Sequence, residues 1–131
     1  MDLPPASCSG SGELTVMTGV VVALATFPDE ETALRIARVL LDEHLAACAN
    51  ILPGAHSIYH WQGQVVEEKE TVGIFKTSTI HRGKFQQRLI ELHPAEVAEC
   101  ILLDVLDGAP DYLNWVRSEV PLGNWRKPSI G

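Results

Sequence analysis

The sequence predicts an α+β sandwich, on three observations. Two apolar runs of strand length, rich in β-branched or leucine residues, lie at residues 20–26 and 100–106. Two amphipathic stretches of helical period, near residues 30–45 and 80–93, follow the first run and precede the second. Between these halves, residues 47–77 read as one long β-hairpin. The order is β-α-β-β-α-β, two strand–helix–strand units joined by a hairpin. This is the ferredoxin-like arrangement, an antiparallel sheet with both helices on one face, extended here by a short C-terminal helix. The helices cannot protect the other face of the sheet, and a copy of the same chain is its simplest cover.

With 131 residues, 46% hydrophobic and 21% charged, the chain has the size and composition of one domain that buries its own core. Residues 1–18 are expected to form a flexible N-terminal tail, because Pro4-Pro5 and Ser9-Gly10-Ser11-Gly12 are small, polar and rich in breakers. Residues 19–131 are the single folded domain, and Met17, just ahead of it, is a candidate start of translation. The formal net charge of −7 disfavours nucleic acid and anionic membrane surfaces as partners. Cys8, Cys48 and Cys100 form no CxxC pair, which argues against a disulfide framework or zinc knuckle and for a reducing compartment. The longest uncharged apolar run, Val20 to Ala25, is far short of the ~20 residues of a bilayer span. No Lys or Arg precedes it, as a secretory leader requires, so the expected location is the cytoplasm.

Taken in order, the first run has no polar alternation and reads as a central strand buried on both faces, ended by Pro28. Asp29, Glu30 and Glu31 then place carboxylates at the positive end of a helix dipole. Ala33, Ile36, Ala37, Leu40 and Leu41 recur at helical spacing until about His44-Leu45. In the hairpin, Gly63 supplies the positive φ of a tight turn, and Pro53-Gly54 predicts a kink or bulge in the first arm. Alternation puts Ser57, Tyr59 and Trp61 on one face. Each arm runs ~14 residues against a usual strand of roughly 5–6, so the ribbon overhangs its own sheet and needs cover. Glu67-Glu68-Lys69-Glu70 charges the return arm and blunts edge-to-edge aggregation. A second helix is predicted over residues 80–93, capped by Ser78 or Thr79, burying Phe85, Leu89 and Leu92, and stopped by Pro94. After the strand at 100–106, a helix over 111–120 puts Tyr112, Trp115 and Val116 on one side, and residues 121–125 close as a short strand or packed coil.

No nucleophile-elbow serine, GxGxxG, P-loop or HExxH occurs, and the chain is not read as an enzyme. His56 and His60, four apart on a strand, stand ~13 Å apart, too far to share one metal. A metal site therefore has to be assembled from distant segments or from different subunits, and the available thiols and imidazoles suit copper or zinc. Cys48 and Cys100 read equally as small buried hydrophobes. His93 closes a helix, where the dipole favours a cation. Lys76 can hold an anion or a carboxylate, or stand as a solvated strand-end lysine. Tyr59 and Trp61 read as interface anchors or as core.

The runs Pro28-Asp29-Glu30-Glu31-Thr32-Ala33, Leu45-Ala46-Ala47-Cys48-Ala49-Asn50-Ile51-Leu52-Pro53-Gly54, Ser57-Ile58-Tyr59-His60-Trp61-Gln62-Gly63, Phe75-Lys76-Thr77 and Glu91-Leu92-His93-Pro94 occur in that order. Together they resemble the CutA family of divalent-cation tolerance proteins over residues 20–119. The resemblance implies a ferredoxin-like fold assembled as a tight homotrimer, similar in architecture to the PII signalling proteins. It implies a cytoplasmic protein tied to tolerance of copper and other divalent metals, with no established enzymatic activity and no obligatory cofactor. By position, the family's copper-binding suggestion points to Cys48 and His93. Where the family commonly reads His-Pro-Tyr-Glu-Val-Pro-Glu, this chain has His93-Pro94-Ala95-Glu96-Val97-Ala98-Glu99. If that loop lines an intersubunit cleft, the cleft is wider and less polar here.

Three roles fit these observations. One is a cation-binding homotrimer, with Cys48 and His93 as copper ligands and a carboxylate such as Glu96 completing the shell. Another is a PII-like regulatory trimer that binds a small molecule at intersubunit clefts, with Tyr59, Trp61, Lys76 and Glu96 as interface or cleft residues. The last is a structural scaffold without a ligand.

Overall fold

The computed structural model describes residues 18–121. Its elements are β1 (Val20–Phe27), α1 (Glu30–Asp42), β2 (Cys48–Trp61), β3 (Gln64–Ser78), α2 (Arg82–Leu92), β4 (Cys100–Asp104) and α3 (Pro110–Glu119). The strands make one antiparallel sheet in the order β2-β3-β1-β4, the ferredoxin-like arrangement. The predicted tail up to Met17 and the closing segment from Leu122 lie outside the described residues.

Alternation along β1 sorts the two faces of the sheet. Ala23, Ala25 and Phe27 point into the core with Ile36 and Leu40 of α1 and Phe85 and Leu89 of α2. Phe27, Phe75 and Phe85 meet edge-to-face, with centroids 6.4 Å and 5.3 Å apart. Gly73 lies beneath two of these rings, where a Cβ would come within 2.8 Å of Phe75 and 2.9 Å of Phe27. The opposite face carries Val22, Leu24, Val72 and Ile74, and is only half covered in one chain. At its edges Leu52, Ile101 and Leu103 are 48%, 49% and 48% exposed. β1 is therefore central, as predicted, but well buried on one face only.

Local chemistry explains most element boundaries. Asp29 caps α1 by accepting the Thr32 N–H at 2.7 Å, a bond that holds its carboxyl below the usual range. α1 ends where His44 takes a φ of 56° and the Leu45 N–H returns to the Leu40 carbonyl. The hairpin pairs from Cys48↔Lys76 to Trp61↔Gln64, with a register shift between Leu52 and Ala55 at the predicted Pro53-Gly54 break. Gln62 (φ 51°) and Gly63 (φ 80°) form a two-residue turn of type I′ character. β1 accompanies β3 only as far as Phe27↔Thr71, so residues 55–70 project beyond the sheet as the expected overhang.

Three boundaries or faces differ from expectation. α2 starts at Arg82, not near 80, because the Ser78 hydroxyl takes the His81 N–H at 3.2 Å and its Nδ1 at 2.8 Å. Ser78 thus closes a turn ahead of the helix, and His81 is the N-cap without a side-chain bond. β4 ends at Asp104, not 106, because β1 begins at Val20 and offers Leu106 no partner. On α3 the buried stripe is Leu113 and Val116 against Val20. Tyr112 and Trp115, expected on one side with Val116, lie against each other with centroids 5.6 Å apart and planes tilted by 37°, and are each 41% exposed.

Candidate functional site

The overhanging ribbon and the segment at residues 93–99 enclose a cleft of about 770 Å³ at the end of β1. The ribbon wall follows from strand periodicity. Ser57, Tyr59 and Trp61 share one face, and the register sets Glu68 opposite Ser57 and Glu70 opposite Ala55, on that same face. The Tyr59 hydroxyl donates to the Glu68 carboxylate, which pushes the phenol up to about 12, with desolvation and the Glu68 and Glu70 charges adding to the effect. On the facing wall Glu96 and Glu99 contribute carboxylates, and the Thr26 hydroxyl reaches Glu99 at 3.3 Å. Among the described residues, four carboxylates line the cleft, with neither Lys nor Arg.

His93 ties this wall to the sheet. Its Nδ1 accepts the Ala95 N–H at 3.0 Å and its Nε2–H donates to the Thr26 carbonyl at 2.7 Å. A backbone N–H only donates and a carbonyl only accepts, so these partners assign the tautomer. The ring also stacks on Phe27, 5.2 Å between centroids. Ala95, next in the segment, presents only a methyl group to the cleft.

Cys48 and Lys76 belong to a separate cluster on the half-covered face. The Lys76 ammonium donates to Asn50 Oδ1 at 2.6 Å and lies 3.9 Å from the Cys48 sulfur. Among the described residues its partners are thus an amide oxygen and a thiol. The Tyr112 hydroxyl joins this cluster, its pKa raised by burial first and then by Cys48. Cys48 stands level with Lys76 and Val22, whereas His93 bonds Thr26. Four residues of β1 separate those levels, ~13 Å along the strand. One protomer therefore does not bring Cys48 and His93 together. Among the described residues, no group of three or more His, Cys, Asp or Glu side chains is gathered to hold a metal ion.

Of the residues singled out in the sequence, Tyr59, Trp61, His93 and Glu96 meet in the cleft. Glu68, Glu70, Glu99, Asn50 and Tyr112 were not singled out as site residues. A two-residue turn at Gln62-Gly63 would have placed Glu68 and Glu70 on the same face as Tyr59 by counting back from Trp61. Nothing local announces that Glu99 meets Thr26, a contact across 73 residues.

Fold and site define a ferredoxin-like α+β protein with a ligand-sized acidic cleft beneath its overhanging hairpin. The family model described as CutA1 divalent ion tolerance protein matches residues 21–119. The divalent-cation tolerance protein CutA of Thermus thermophilus is 47% identical over 96 residues, 73% of this chain and 93% of that protein. The crystal structure of CutA from Xylella fastidiosa is 40% identical, covers 79% of this chain and 99% of that one, and superposes with a TM-score of 0.77. The PII-like protein CutA from Nostoc sp. PCC 7120, in apo form, is 38% identical over 79% of this chain and 99% of that one, with a TM-score of 0.73. The chain belongs to the CutA family of divalent-cation tolerance proteins. Among the described residues no helix is long and apolar enough to cross a membrane.

Proposed function

We propose that this chain is a cytoplasmic, non-catalytic homotrimer that binds divalent cations, copper among them, in keeping with its relatives' name. The observation that carries the cation reading is the cleft's charge, four carboxylates and no Lys or Arg among the described residues that line it. A concave surface of one sign focuses the field and raises the local concentration of counter-ions. Carboxylate oxygens suit hard ions, whereas copper would draw on the Cys48 thiol and the His93 imidazole. The His93 Nε2–H bond to the Thr26 carbonyl is of the kind that orients a metal-binding ring, and it leaves Nδ1 for the ion in place of the Ala95 N–H. With ~13 Å between their levels on one sheet, an ion held by both residues takes them from different protomers. The half-exposed Leu52, Ile101 and Leu103, together with the overhanging ribbon, support the trimer.

Titration calorimetry of Cu²⁺ into wild type, Cys48→Ser and His93→Ala tests this reading. Loss of the tightest site in either variant is the expected result. Wild-type affinity in both removes these residues from the copper site, and no saturable Cu²⁺ binding to wild type overturns the copper reading itself.

A second reading has its own support in the cleft's size. A volume of about 770 Å³ lies within the ~300–1,000 Å³ of small-molecule sites, and the solved Nostoc relative is described as PII-like. In this reading the trimer is regulatory and the cleft holds a metabolite.

A further inference from the structure

Resting on the small-molecule reading of the cleft, we propose that its ligand is a linear aliphatic polyamine. Among the described residues the lining offers four carboxylates and neither Lys nor Arg, so an anionic ligand would meet repulsion on both walls. The spacing of those charges then separates an extended polycation from a point charge. Glu68 and Glu70 stand on the ribbon, Glu96 and Glu99 on the facing segment, and among the described residues no three acidic or His side chains are gathered as a chelate. Several amines strung on a chain match carboxylates spread over two walls, which a single small ion cannot reach at once.

The aromatic groups point the same way. Tyr59 and Trp61 are two positions apart on one strand face, 37% and 42% exposed, and both line the cleft. Their ring faces attract alkylammonium groups and pack against methylene chains. A strongly hydrated divalent ion uses neither property. Among the described residues Glu70 and Glu96 have no hydrogen-bond or ion-pair partner, so one carboxylate on each wall is free to accept from an ammonium group. Ala95 contributes only a methyl and leaves room for the chain of the ligand.

Titration calorimetry of spermidine into the full chain, with Mg²⁺ and ATP as separate arms at about 0.15 M ionic strength, tests the proposal. The expected result is saturable spermidine binding with a change in tryptophan fluorescence, and Mg²⁺ binding weaker by about tenfold or more. The Glu70→Gln/Glu96→Gln double variant and Trp61→Leu should each weaken spermidine binding by about tenfold, with unchanged melting temperature and sedimentation mass. Mg²⁺ binding as tight as spermidine, or full spermidine affinity in both variants, overturns the polyamine. A drop in sedimentation mass with Trp61→Leu also overturns it, since the ring then belongs to a contact between copies. ATP binding in place of spermidine keeps the small-molecule reading and overturns only the polycation. No saturable binding of spermidine or ATP overturns both.

Discussion

Gly73 shows how closely the core is packed. A methyl group there would enter the rings of Phe75 and Phe27 at 2.8 Å and 2.9 Å, and both rings are fully buried with nowhere to move. Gly73→Ala should therefore destabilise the protein by about 2 kcal/mol, seen as a lower denaturant midpoint with unchanged slope. His81 is the corresponding case for charge. It is buried beside Ser78, and desolvation holds its pKa below the ordinary value, with Lys84 lowering it further and the Pro121 backbone bond working the other way. A depressed pKa means that the native state disfavours the imidazolium. The associated stability is present above the unfolded pKa of about 6.5 and is lost as pH falls through the folded value. The melting temperature of wild type should thus decline faster below about pH 6.5 than that of His81→Gln. Parallel curves for the two proteins would remove His81 as the cause.

The two helices are joined by a fork. Arg88 donates to both oxygens of Glu43, at 2.9 Å and 2.8 Å, with Arg88 a third exposed and Glu43 largely buried at the end of α1. The bond to Glu43 also raises the Arg88 pKa. Arg88→Ala removes both of these charge-assisted bonds and should cost about 2 kcal/mol in a urea titration. A loss within 0.5 kcal/mol, the usual range for surface sites, would class the fork with ordinary surface pairs. The hairpin owes its register to Gln62 and Gly63, both with positive φ. Periodicity foretold Tyr59 and Trp61 on one face, and the pairing that follows from the turn adds Glu68 and Glu70. Those carboxylates were legible as solvated charges on a ribbon. Their part in a cleft wall depends on the segment opposite, which His93 anchors to Thr26 from 67 residues away.

The single chain leaves one sheet face half covered, with Ile101 and Leu103 of β4 about half exposed. Burying that face in a trimer predicts about three times the chain mass in sedimentation equilibrium at micromolar concentration. Leu103→Glu should shift the equilibrium towards monomer by about 2 kcal/mol or more. A wild-type monomer at that concentration would refute the assembly. The cleft lies at the far end of the same sheet, beneath the overhang.

The order of elements, the acidic start of α1 and the break at Pro53-Gly54 were determined by the sequence alone. Each depends on residues within a few positions of one another, where period, capping and turn chemistry act directly. What the tertiary structure decided was the meeting of distant segments. It buried Val116 of α3 together with Leu113 and left Tyr112 and Trp115 exposed. It closed the cleft by bringing Glu99 to Thr26, and it set Cys48 and His93 at different levels of β1. Strand order and register control these distances, and they arise from the packing of the whole sheet against its helices, which no local stretch of sequence encodes.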